Sequence, residues 1–121
     1  MSTQDDVRRI ALALPGVVEA TEKFAFSVLN KGKEKGFIWV WKERTDPKKA
    51  RVPNPDVLAI CVRNMEIREM LLASDERKFF TEPHYNGFPA VLVRLAEIEV
   101  DELAELIEEA WRYKAPKELL S

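Results

Sequence analysis

The chain has 121 residues, 46% of them hydrophobic and 33% charged, with a net charge of −2. That length supports one buried core without a disulfide or structural metal, and the charge excludes a uniformly basic nucleic-acid binder. The single cysteine, Cys61, excludes an internal disulfide. It lies in the apolar run 57–62, where a thiol acts as a small hydrophobe, so a reducing cytoplasm is the expected setting. The polar start Met1–Asp6 has no signal-peptide pattern, and no apolar run nears the ~20 residues of a membrane span. The expectation is a single domain over residues 1–121, without membrane association.

In chain order, Ser2 or Thr3 can cap a first helix whose apolar face is Val7, Ile10, Ala11 and Leu14, at i, i+3, i+4 and i+7. Pro15-Gly16 stops it. Arg8 and Arg9 lie off the apolar face and read as solvated surface. Residues 24–29 alternate as a strand, with Phe24, Phe26 and Val28 on one side. Residues 37–41 form a second strand that places Phe37, Trp39 and Trp41 on one face. Between them, Asn30–Gly36 reads as a hairpin tip carrying Lys31, Lys33 and Lys35, a charge pattern that also suits an exposed sheet edge. Residues 42–56, with Pro47, Pro53 and Pro55, read as a basic loop.

Residues 57–62 are apolar on both faces, which predicts a central strand. Asn64 caps a second helix with Ile67, Met70, Leu71 and Ser74 on its inner face, ending at Ser74-Asp75-Glu76. Pro83 and Pro89 bracket Asn86-Gly87; the pair favours a type I′ hairpin turn, but the prolines make an irregular structured loop equally compatible. Residues 90–95 form a fourth strand. A last helix opens at Asp101, with Leu103, Leu106, Ile107, Ala110 and Lys114 at the 3.6 period and Trp111 able to join the apolar edge, and Ala115-Pro116 ends it. The pattern predicts an α+β domain: a mostly antiparallel sheet of four or five strands with three helices packed mainly on one face.

Charge is unevenly placed. Between Lys31 and Arg51 eight bases (Lys31, Lys33, Lys35, Lys42, Arg44, Lys48, Lys49 and Arg51) face three acids, whereas Glu97–Glu109 holds seven acids and no base. The acidic block matches the dipole of the last helix and needs no metal. The basic segments could neutralise phosphates if they met on one surface, which would give affinity with little sequence readout. Trp39 and Trp41 could stack on unpaired bases if their face were open, but a sheet with one helical layer needs large fillers there, which assigns them to the core.

The segments Pro83-His84-Tyr85, Phe88–Leu95 and Ala110-Trp111-Arg112 with Ala115-Pro116, together with Leu14-Pro15-Gly16-Val17 and Glu19, resemble the MmcQ/YjbR family over essentially the whole chain. The resemblance implies a compact α+β fold comparable to secretion chaperones and to a phage double-wing domain. On that comparison it implies DNA binding, weak and largely non-specific. Many members carry tryptophan where this chain has Phe88-Pro89.

Two alternatives stand beside nucleic-acid binding. One is a protein- or peptide-binding module, possibly a homodimer, using an open sheet face or edge. The other is a small-ligand site at Glu82, His84 and Tyr85. No catalytic residue, cofactor or metal is expected: there is no nucleophile elbow, no Gly-rich phosphate loop and no zinc-ligand spacing, and a lone loop histidine reads first as a structural hydrogen-bonder.

Overall fold

The computed structural model describes residues 1–44 and 46–120. Thr45, inside the stretch expected as a basic loop, lies outside the described residues. The elements run α1 (Gln4–Leu12), β1 (Val17–Glu19), β2 (Ala25–Asn30), β3 (Lys33–Glu43), β4 (Val52–Cys61), α2 (Met65–Ser74), β5 (Phe79–Phe80), β6 (Ala90–Arg94) and α3 (Val100–Lys114). One six-stranded sheet results, ordered β1-β2-β3-β4-β6-β5, with every neighbouring pair antiparallel. The two extra strands, β1 and β5, are the short edge pieces.

The helix starts follow local chemistry. Thr3 caps α1 through a reciprocal box in which its hydroxyl accepts from the Asp6 N–H and the Asp6 carboxylate accepts from the Thr3 N–H. The Asn64 side chain accepts from the Ile67 N–H and caps α2. The main core fills the space between the sheet and the helices. It joins Val7 and Ala11 of α1 and Leu103, Ile107, Ala110 and Trp111 of α3 to Phe26, Val28, Ile38, Leu58, Ile60, Val91 and Val93 of the sheet. Each such Leu or Ile stabilises the fold by roughly 1.5–3 kcal/mol relative to exposure.

Alternation fails at one informative place. The β2–β3 register slips between Phe26 and Ser27, so that Phe26 pairs with Ile38 but Ser27 with Gly36. Phe37 is the extra residue of this bulge and packs in the main core beside Ile38. The expected single face of Phe37, Trp39 and Trp41 is therefore split. The two tryptophans, with Phe80 and Tyr85, pack over a small second cluster of Val57, Ala59 and Leu92.

The second helix is also turned from its expected orientation. Met70 is 62% exposed and Ile67 39% exposed, whereas Arg68 is only 5% exposed. The inward positions belong to Arg68, Leu71 and Leu72. Burying a guanidinium is tolerated because its donors are met. Nε donates to the Ala90 carbonyl at 3.1 Å, Nη2 to Thr81 Oγ1 at 2.6 Å and to the Tyr85 carbonyl at 3.2 Å, and Nη1 to Glu69 at 2.8 Å.

The stretch expected as a loop over 42–56 is strand at both ends. β3 continues to Glu43 and β4 starts at Val52, with Lys42 opposite Pro53. Pro53 is tolerated because β6 pairs only with Val57–Cys61, which leaves the first half of β4 with a free edge.

Candidate functional site

The cationic segments do not meet. Lys31 and Gly32 form the two-residue turn joining β2 to β3, both with positive φ (54° and 80°), as a type I′ hairpin requires. Lys33 and Lys35 begin β3, whereas Lys42 and the 44–51 connection lie at its other end. At about 3.3 Å per residue the two ends are roughly 30 Å apart. The condition for a shared phosphate-following surface, that the two segments lie together, is not what the strand provides: its length stands between them. Lys31, Lys33 and Lys35 are exposed at one end; Arg44, Lys48 and Lys49 are exposed at the other.

The second basic end instead meets the segment that holds the only histidine. Residues 83–85 form one 3₁₀ turn, capped by the Glu82 carboxylate accepting from the His84 N–H at 2.9 Å. Asn86 (φ −61°, ψ 126°) and Gly87 (φ 73°) continue into a type II turn closed by the Phe88 N–H to the Tyr85 carbonyl at 3.0 Å. The irregular loop is thus the form adopted, not the type I′ hairpin. Buried Arg68 fixes this segment from behind through the Tyr85 and Ala90 carbonyls.

Arg51 reaches across from the β3–β4 connection. Its Nη1 donates to the Lys42 carbonyl at 2.9 Å, and its Nη2 lies against the His84 ring, 2.5 Å from Nδ1 and 3.0 Å from Nε2, and 3.8 Å from the Glu82 carboxylate. The Trp39 indole N–H donates to the Tyr85 hydroxyl at 3.0 Å. Burial pushes the Tyr85 phenol above its ordinary value, partly offset by that bond.

These groups border a cleft of about 780 Å³ beside the second cluster, lined by Phe24, Trp39, Trp41, Arg51, His84 and Tyr85 among others and bounded at one edge by Gln4 at the start of α1. The size falls in the range of small-molecule sites. Trp39 and Trp41 are therefore both filler and wall: one side covers the second cluster and the other lines the cleft. Trp41 packs edge-on against Phe80, ring centres 5.5 Å apart, and its buried indole nitrogen has no hydrogen-bond partner.

Of the expected ligand residues, His84 and Tyr85 line the cleft, while Glu82 stands behind them as the cap and the Arg51 partner. Phe24, Pro53 and Pro55 also line the cleft and were not singled out from the sequence. The Pro-x-Pro spacing at the start of β4 was their one visible signal. Among the described residues no group of three His, Cys, Asp or Glu side chains is placed to hold a metal ion, and no helix is long and apolar enough to cross a membrane.

An antiparallel six-stranded sheet with helices packed against it, and an aromatic cleft bordered by the His84-Tyr85 turn, defines an α+β domain. The YjbR family model matches residues 12–113, and the chain belongs to that family. The matched span contains every cleft residue named above except Gln4. The uncharacterized proteins Rv2570 of Mycobacterium tuberculosis and Mb2600 of Mycobacterium bovis are each 38% identical over 127 residues, covering 99% of this chain and 94% of theirs. The crystal structure of Deinococcus radiodurans protein DR2400, a DUF419 domain, shares the fold with a TM-score of 0.69 at 23% identity, over 92% of this chain and 77% of that one.

Proposed function

We propose that this domain acts by binding rather than catalysis, and that it holds a small ligand in the cleft between Phe24, the β3 tryptophans and the His84-Tyr85 turn. The observation that carries this is convergence. Phe24, the β3 tryptophans, Arg51 and the His84-Tyr85 turn come from four separate stretches and border one cavity. A second, internal layer of support, Arg68 and Glu82, holds the turn without entering the cavity. Pre-positioned walls of this kind favour ligand binding because little ordering remains to be done on association.

DNA binding, which the family resemblance implies, would rest on one end of the sheet alone, since the Lys31–Lys35 tip lies across the length of β3 from the Lys42–Arg51 segment. That makes it the weaker reading of this chain.

The test uses the three indole N–H signals in an NMR titration with millimolar small fragments of mixed charge. Trp39 and Trp41 line the cleft, whereas Trp111 is buried in α3 with its N–H on the Pro15 carbonyl at 2.8 Å. Fragments are expected to shift the first two signals and leave the third in place. If no fragment of any charge moves Trp39 or Trp41, the cleft is not a ligand site.

A further inference from the structure

Resting on the cleft as a ligand site, we infer that its ligand is a flat aromatic ring bearing a phosphate or carboxylate group. Two features define that class. Trp39, Trp41 and Tyr85 offer ring surfaces, and Pro53 and Pro55, on the strand paired beside Trp41, extend that flat apolar lining. An aliphatic ligand would gain burial from such walls but not the stacking they favour.

The charge at the rim is the second feature. Lys23, Lys42 and Arg51 line the cleft against one carboxylate, Glu22. The polar hydrogens there are in excess as well. The Tyr85 hydroxyl accepts from Trp39 and keeps its own proton for donation. Arg51 stands in contact with His84 and at 3.8 Å from Glu82, close enough to be oriented and too far to be neutralised by a tight bidentate pair. An incoming anion takes a guanidinium that is already aimed. Its planar fork suits a phosphate or carboxylate, which a lysine at this position would engage only as a point charge.

Adenosine 5′-monophosphate is a suitable probe, with adenosine and inorganic phosphate as its two halves, each titrated against the intact chain by the Trp39 and Trp41 indole signals. Adenosine 5′-monophosphate is expected to bind at least tenfold more tightly than either half. Arg51→Gln is expected to bring its affinity down to that of adenosine without changing the adenosine value. Trp39→Leu is expected to weaken both, and circular dichroism with the Trp111 signal verifies that each variant is folded.

Equal affinities for the nucleotide and adenosine would overturn the anionic half of the inference, and equal affinities for the nucleotide and phosphate would overturn the aromatic half. Neutral or cationic fragments shifting Trp39 and Trp41 while the nucleotide does not would sink the ligand class and leave the cleft standing. Silence from every probe would sink both. A single-stranded decanucleotide binding more than tenfold tighter than the mononucleotide would mean that the cleft reads a polymer, and the small-ligand inference would fall.

Discussion

The Trp39 indole N–H meets the Tyr85 hydroxyl at 3.0 Å, joining the middle of β3 to the turn that leads into β6. Forty-six positions separate the two residues, and this bond sets one wall of the cleft against another. Tyr85→Phe removes the acceptor and leaves the indole donor unmet, which should cost about 1 kcal/mol. A Trp39→Phe, Tyr85→Phe double-mutant cycle in urea should return a coupling of roughly 0.5–1.5 kcal/mol. Additive losses would mean that the contact contributes nothing to the folded state.

The same pair gives a signed pH effect. Burial raises the Tyr85 phenol above its ordinary value near 10 in the folded chain. A group whose folded value is raised contributes stability that is fully present below its unfolded value and is lost as pH rises through the folded one. The intact chain should therefore lose stability more steeply than Tyr85→Phe above pH 10, and the two curves should run parallel below it. Denaturant midpoints measured between pH 7 and 11 check this; equal slopes throughout would contradict it.

Arg68 should matter more for stability than any other charged residue of the chain. Its removal orphans the Ala90 and Tyr85 carbonyls and the Thr81 hydroxyl at once. Arg68→Met keeps much of the volume and should still cost about 3 kcal/mol, as expected when several buried neutral acceptors each lose a charged donor. It should also broaden or shift the Trp39 indole signal, because the turn bearing Tyr85 loses its inner anchor. A loss below about 1 kcal/mol would show that the buried guanidinium is only incidental.

Much of this fold is legible in the residues, and the exceptions have physical causes. The caps at Thr3 and Asn64 and the buried faces of α1 and α3 follow from short-range rules, because the side chains that decide them lie within a turn of one another. The inner face of α2 does not. Hydropathy assigns Ile67 and Met70 inward, but Arg68 takes that side because carbonyls more than ten residues away satisfy it. Phe37 likewise leaves its alternating partners through a bulge that no single strand encodes. The cleft was half visible: His84 and Tyr85 are conspicuous as a loop pair, yet Arg51 reads as one more base in a charged run until the β3–β4 pairing brings it to them. The separation of the two lysine-bearing segments was decided by strand length, once β3 proved to run from Lys33 to Glu43.

Trp41 and Trp111 should respond unequally to the same change. The Trp41 nitrogen is buried with no partner, so Trp41→Phe removes an unmet donor while keeping an aromatic filler against Phe80. The lost ring area and the relieved desolvation should nearly cancel, leaving stability within about 0.5 kcal/mol of the starting value. Trp111 donates to the Pro15 carbonyl at 2.8 Å and is 4% exposed, pinning the end of α3 to the turn after α1. Trp111→Phe loses that bond and leaves a void, so it should cost about 2 kcal/mol or more. Urea titrations of both variants decide the matter, and equal losses would show that the unpartnered nitrogen of Trp41 carries no penalty in the folded chain.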